Sequence, residues 1–181
     1  MSPDFNKVFY MLTRSFLLIV LTCFLPSAQA ANLYAHPVTL SALNSTETVP
    51  LNTFKGELVY LDFWASWCIP CKESFPFMNQ LQNRYKNEGL RIITINLDKT
   101  PQAALTFLEA HPAHFPIYHD PEQQLTKQLS VKGLPTSFLF TPDGELHQRM
   151  TGFNQYKAQK LSKTIENLLQ PSPSKKVETK L

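Results

Sequence analysis

The chain has 181 residues, 43% of them hydrophobic and 12% aromatic, enough to build the core of one ordinary domain and unlike a small scaffold held by disulfides. Its formal charge of +3 sits at the ends: Asp4, Lys7 and Arg14 together give +1, and Lys175, Lys176, Glu178 and Lys180 give +2. The remaining body is near neutral and offers no basic face for nucleic acid.

Arg14 precedes an apolar run from Ser15 to Leu25, and Pro26-Ser27-Ala28-Gln29-Ala30 then places small residues where a signal peptidase reads. Residues 1–30 are therefore expected to be a secretory leader, with Met11 as an alternative start and an uncleaved anchor as the minor reading. The apolar run is short for a membrane span. Cys23 lies within it as apolar filler. Without the leader, Cys68 and Cys71 are the only cysteines, and a single close pair in an exported protein serves redox chemistry or a metal rather than stapling a framework.

In the expected mature domain, residues 31–170, Val38 to Leu40 and Thr48 to Leu51 read as a hairpin around the polar turn Asn44-Ser45-Thr46. Leu58 to Trp64 is almost continuously apolar, the pattern of a central strand covered on both faces. A helix carrying the cysteines should follow, with Phe77, Met78, Leu81 and Tyr85 inward, Pro76 inside it and Gly89 as its stop. Leu90 to Leu97 is the next strand; Thr100 and Pro101 open a helix with Ala104, Leu105 and Leu108 on one face, ended by Pro112. Phe115 to Tyr118 reads as a short strand and Asp120-Pro121 as the start of a helix through Leu125 and Leu129. Ser137 to Phe140 and Glu145 to Thr151 form a hairpin about Pro142-Asp143-Gly144, and Asn154 caps a last helix with Ala158, Leu161, Ile165 and Leu168 inward. From Pro171 the composition turns to Pro, Ser and Lys, so residues 171–181 are expected to be a disordered tail. The order predicts a three-layer α/β/α domain with a mixed central sheet.

The junction between Trp64 and Lys72 is the candidate active site. A helix start offers unpaired N–H groups and the positive end of the macrodipole, which hold a cysteine as thiolate. Two cysteines spaced as Cys68-Ile69-Pro70-Cys71 can close a disulfide ring and reopen it, so the chemistry indicated is thiol–disulfide exchange. His36, His111, His114, His119 and His147 show neither metal-ligand spacing nor a relation to the cysteines.

Asp62-Phe63-Trp64-Ala65-Ser66-Trp67-Cys68-Ile69-Pro70-Cys71-Lys72, with Pro76 beyond and Gly133-Leu134-Pro135-Thr136 downstream, closely resembles thioredoxin. The N-terminal hairpin, the helix inserted around Pro101 to His111 and the leader resemble specifically the TlpA and ResA branch, and the likeness covers roughly residues 36–169. The resemblance implies a thioredoxin fold in which Cys68 is the exposed attacking thiolate and Cys71 the buried resolving thiol. Asp62 would take and return the proton of Cys71, its affinity for that proton raised by burial. Pro135 would be a cis proline opposite the cysteines, Leu134 would offer backbone hydrogen bonds to a client, and Trp67, Ile69 and Pro70 would line the docking surface. Trp64 is expected in the core, and Lys72 and Glu73 on a solvated helix face.

The resemblance further implies a periplasmic enzyme that reduces disulfides in client proteins, re-reduced by a membrane electron donor of the DsbD/CcdA type, with no cofactor and no metal. Pro70 supports the reducing direction, since strongly oxidising relatives carry His there. The competing readings are a disulfide oxidase or isomerase and a Cu(I)-binding metallochaperone using the same cysteine pair. A peroxidase is disfavoured, because Ser66-Trp67 breaks the Thr-x-x-Cys pattern of that chemistry. The Gly-Leu-Pro-Thr segment lacks the acidic residue after the proline that haem-maturation members carry, which favours a broader client range.

Overall fold

The computed structural model describes residues 32–35, 37–120 and 122–170. The expected leader with Cys23, His36, Pro121 and the tail from Pro171 lie outside the described residues. Seven strands form one sheet in the order β2-β1-β5-β4-β3-β6-β7. In chain order these are β1 (Thr39–Ala42), β2 (Thr48–Pro50), β3 (Leu58–Trp64), β4 (Leu90–Asn96), β5 (Ile117–His119), β6 (Thr136–Phe140) and β7 (Leu146–Thr151). The α-helices are α1 (Ile69–Tyr85), α2 (Pro101–Ala110), α3 (Gln124–Gln128) and α4 (Gln155–Leu169), and a 3-10 turn spans Leu51–Phe54. β3, β4 and β5 run parallel; β6 pairs antiparallel with β3, β7 with β6, and β1 with both β2 and β5.

β3 is the centre of the sheet, and every one of its residues is buried. Its side chains alternate between two cores, as a pleated strand requires. Leu58, Tyr60 and Trp64 meet Cys71, Phe75, Met78, Phe107, Leu161 and Ile165 on the face covered by α1, α2 and α4. Val59, Leu61 and Phe63 face the other way, onto Leu51, Leu125, Phe138 and Phe140. This period places Asp62 on the same face as Tyr60 and Trp64, beneath the helix that carries Cys71.

The structure shifts several expected packing faces. In α1 the inward stripe is Cys71, Ser74, Phe75, Met78, Leu81 and Tyr85, while Phe77 is half-buried and packs on Phe153 with ring centroids 5.7 Å apart. In α2 Phe107 goes fully inward beside Ala104, and Leu105 and Leu108 are only partly covered. Leu168 of α4 is 39% exposed, and Leu169 packs on the core in its place. The helix expected from Asp120 begins only at Gln124. Asp120 accepts hydrogen bonds from the Gln124 and Thr126 N–H groups, and Gln123 takes a left-handed φ of 56°, so the helix cannot extend back through Gln123. Asn154 does cap α4, its side chain accepting from Lys157 N at 2.9 Å.

Candidate active site

Parallel β3 and β4 end side by side, with Trp64 opposite Asn96. The carboxyl end of such strands is where an open α/β sheet presents its functional groups. Here the chain leaves β3 through Ala65, Ser66 and Trp67 and enters α1 with Cys68 at its N-cap and Ile69 and Pro70 as the first helical residues. Pro70 tolerates this place because the first helical N–H groups have no partner within the helix. Cys68 N donates to Ala65 O at 3.1 Å and Cys71 N to Cys68 O at 3.2 Å, closing a tight turn. Cys68 and Cys71 are joined as a disulfide with Cα atoms 5.3 Å apart.

The expectation of an exposed Cys68 is corrected by its packing. Cys68 is 4% exposed and Cys71 0%. The N-cap position folds Cys68 back against the first turn, where its bond to the wholly buried Cys71 holds it. What stands out into solvent is its neighbours, Trp67 at 69% and Ile69 at 72%, with Pro70 also exposed. Access to the disulfide is thus from the Cys68 side, between two apolar side chains.

Asp62 is 1% exposed, and its Oδ2 meets no hydrogen-bond partner among the described residues. Burial pushes its carboxyl well above the ordinary carboxylate range. It lines a cavity of about 10 Å³ together with Tyr60, Ser74, Phe77, Pro135, Ser137 and Lys157 among others. Ser137 is its cross-strand partner in β6. Ser74 donates from Oγ to Cys71 O at 2.9 Å, so the wall that faces Asp62 is tied to the backbone of the buried cysteine. Burial and then the Asp62 charge raise the Tyr60 phenol well above its usual range, opposed by a hydrogen bond with Ser137.

The loop before β6 arrives from the far end of the chain. The Leu134–Pro135 peptide is cis, Thr136 Oγ1 donates to Gly133 O at 2.6 Å, and Gly152 N donates to Pro135 O at 2.7 Å. Leu134 is half-buried and touches both cores, and Pro135 is buried at the rim of the Asp62 cavity. The structure therefore gathers Asp62, Cys71 and Pro135 about one face of β3, with Cys68 above them and Trp67 and Ile69 projecting outward. Trp64 belongs to the core, at 0% exposure, and Lys72 and Glu73 are exposed. Among the described residues no group of three or more His, Cys, Asp or Glu side chains stands where it could hold a metal ion.

One residue of the site escaped the sequence reading. Asp98, just beyond β4, is 4% exposed and accepts hydrogen bonds from Ser66 N at 3.0 Å, Ser66 Oγ at 2.9 Å and Asn96 Nδ2 at 2.7 Å. The available signal was an acidic residue directly after an apolar strand whose end abuts the cysteine turn. Its partner Ser66 lies 32 positions away, so no local pattern joins the two.

Residues 29–149 match the AhpC/TSA family. The thiol-disulfide oxidoreductase ResA of Bacillus thuringiensis subsp. konkukian (strain 97-27) is 38% identical over 104 residues, 58% of this chain and 60% of that protein. ResA of Bacillus subtilis (strain 168) is 34% identical over 104 residues, 58% of each chain. The chain thus spans about three fifths of the length of the curated relatives it matches. Among solved structures, a candidate thiol:disulfide interchange protein DsbE from Chlorobium tepidum superposes with a TM-score of 0.72 at 38% identity, covering 79% of this chain and 99% of that one.

Proposed function

This chain belongs to the AhpC/TSA family of thioredoxin-like proteins, and we propose that it is a thiol–disulfide oxidoreductase that reduces disulfides in client proteins. The observation that carries this reading is the Cys68–Cys71 disulfide at the N-terminus of α1, flanked by the exposed Trp67 and Ile69.

In the reduced enzyme, the Cys68 thiolate, stabilised by the helix start, attacks one sulfur of a client disulfide. A bond forms between Cys68 and the client, and the other client sulfur leaves as thiolate. Asp62 takes the proton of Cys71, whose thiolate attacks Cys68 Sγ; the Cys68–Cys71 disulfide forms and the second client thiolate departs. Two electrons have passed from the pair to the client. The buried carboxylate suits this work because desolvation raises its proton affinity toward that of a thiol. Leu134 and Pro135 lie where a client segment would pass, and Trp67, Ile69 and Pro70 supply apolar contact.

The leader-like pattern over residues 14–30 supports a periplasmic location, where the dithiol must be restored by an electron source. We assign that role to a membrane donor of the DsbD/CcdA type. Among the described residues no helix is long and apolar enough to cross a membrane.

The test is a mixed-disulfide trap. Wild-type protein supplied with dithiothreitol should reduce insulin disulfides, Cys68→Ser should abolish turnover, and Cys71→Ser should accumulate a covalent adduct through Cys68. Adducts that form only through Cys71 would reverse the two roles, and a wild-type protein that refolds scrambled disulfides but leaves insulin oxidised would replace reductase with isomerase. Tight Cu(I) binding without any turnover would assign the pair to metal transfer instead.

A further inference from the structure

The attacking cysteine is held by a short turn, and that turn has little of its own to fix it. Between Trp64 and Cys68 the chain makes only the Cys68 N to Ala65 O bond within itself. Its other restraints come from the segment after β4: Leu97 N donates to Trp64 O at 2.9 Å, and the Asp98 carboxylate takes both donors of Ser66. Asp98 is itself held in place. Its N–H donates to Asn96 Oδ1 at 3.1 Å, the Asn96 amide returns a bond to Oδ2, and His119 Nε2 contacts its carbonyl at 2.8 Å.

A buried carboxylate without a cation is costly unless its oxygens are hydrogen-bonded. No Lys or Arg pairs with Asp98 among the described residues, so the three donors from Ser66 and Asn96 are what make its burial tolerable. A side chain kept there at such cost, clamping the residue two before Cys68, points to a positional role.

We propose that Asp98 is a positioning residue for the redox centre: its carboxylate staples Ser66 and so fixes the turn that presents Cys68 at the N-terminus of α1. The thiolate of Cys68 is stabilised only while its sulfur sits at the helix start, so a loosened turn weakens that stabilisation. The other titratable groups about the turn are Lys72 and His111, which line with Ser66 the cleft against α2, and His119 behind Asp98. The inference rests on Cys68 being the attacking thiol.

Two neutral replacements separate the staple from the charge. Asp98→Asn removes the negative charge and can keep the bonds, its Oδ1 accepting from Ser66 N and Asn96 while its amide faces the Ser66 hydroxyl oxygen. Asp98→Ala removes both. The primary readout is the pH profile of Cys68 alkylation in the reduced protein, which needs no client. Asp98→Ala should titrate higher than Asp98→Asn by about half a unit or more, with a kcat/KM on insulin lower by about tenfold. Ser66→Ala, which keeps the charge and the backbone bond, should shift the profile upward from wild type by less and serves if Asp98→Ala does not fold. Leu51→Ala, a core change on the opposite face of the sheet, controls for lost stability and should leave the profile in place. Equal profiles for Asp98→Asn and Asp98→Ala would reduce Asp98 to a charge, and an unmoved profile in every variant would reduce it to a fold-stabilising residue; either overturns the proposal. A wild-type protein without reductase turnover but with the alkylation shifts intact would sink the function proposed above and leave the staple standing.

Discussion

Asp62 on β3 and Ser74 on α1 face each other across a cavity of about 10 Å³, and Ser74 is hydrogen-bonded to the backbone of Cys71. Space of that size is at the lower limit for one water molecule. Asp62 on the strand and Cys71 on the helix are both buried.

The burial of Asp62 sets a pH dependence. Burial raises the Asp62 pKa in the folded protein above its ordinary 3.8, so between these two values the folded state binds more protons than the unfolded chain. Stability therefore falls as pH rises through the window and is lowest, for this group, once Asp62 is ionised. Asp62→Asn, which does not ionise, should remove the fall, so its stability relative to wild type should rise by about 1–3 kcal/mol or more from pH 5 to pH 8. Urea midpoints at pH 5 and pH 8 measure it; a difference from wild type that does not change between the two contradicts the assignment. The same variant should slow release of the client by about a hundredfold, the lower range for a positioned proton-transfer group, seen as a lingering mixed disulfide.

Trp67 should behave as a docking residue with no part in folding. At 69% exposure it buries little in the free protein, so Trp67→Ala should leave Tm within about 1 °C. Against a folded protein client kcat/KM should fall about tenfold, the loss of one well-seated aromatic contact. Reduction of a small-molecule disulfide, which makes no such contact, should change far less. An equal loss on both substrates would place Trp67 with the chemistry instead.

Phe75 supports the site from below. Its ring lies 4.9 Å from Trp64, 5.1 Å from Phe107 and 5.5 Å from Phe115, centroid to centroid, binding the start of α1 to β3 and α2. Phe75→Ala should cost about 3–5 kcal/mol in denaturant unfolding, as for other fully buried aromatics. Phe77→Ala, half-buried against Phe153, should cost clearly less. The reverse order would mean that the helix is rotated from the orientation described.

The contrast between these two phenylalanines shows where sequence reading succeeds. β3 was legible because seven consecutive residues buried on both faces leave an apolar run broken only by Asp62, and the helix start because Cys-x-x-Cys follows it within a few residues. The rotation of α1 was not, since Phe75 and Phe77 are both apolar and the helix interior carries apolar residues on more than one side. Counting the stripe from Cys71 would have selected Phe75 and Met78, because the disulfide ties that residue to the core. Asp120 was expected to open a helix with Pro121, whereas the helix begins at Gln124 and the Asp120 carboxylate accepts from the Gln124 and Thr126 N–H groups. Asp98 stayed hidden for a different reason: its meaning is a tertiary contact with Ser66.

The stability of the two redox forms reports the poise of the pair relative to its unfolded state. Cys68 and Cys71 are three positions apart, so their bond removes little freedom from the unfolded chain, about 2 kcal/mol in the chain-entropy account of a four-residue ring. If the folded domain tolerates both redox states, that difference survives and the oxidised protein is the more stable. The helix start also stabilises the Cys68 thiolate and so opposes this difference; in a strong oxidant that stabilisation of the reduced form outweighs it. The Asp62 carboxylate, when ionised, opposes additional negative charge nearby, and Pro70 carries no charge to support the thiolate. The oxidised form should therefore unfold at a Tm higher by about 4–8 °C than the dithiol form. The corresponding potential lies about 40 mV below that of the unfolded cysteine pair. Calorimetry of the two forms under matched conditions decides the matter: a reduced protein more stable than the oxidised one would assign this chain to disulfide formation and overturn the reductase reading.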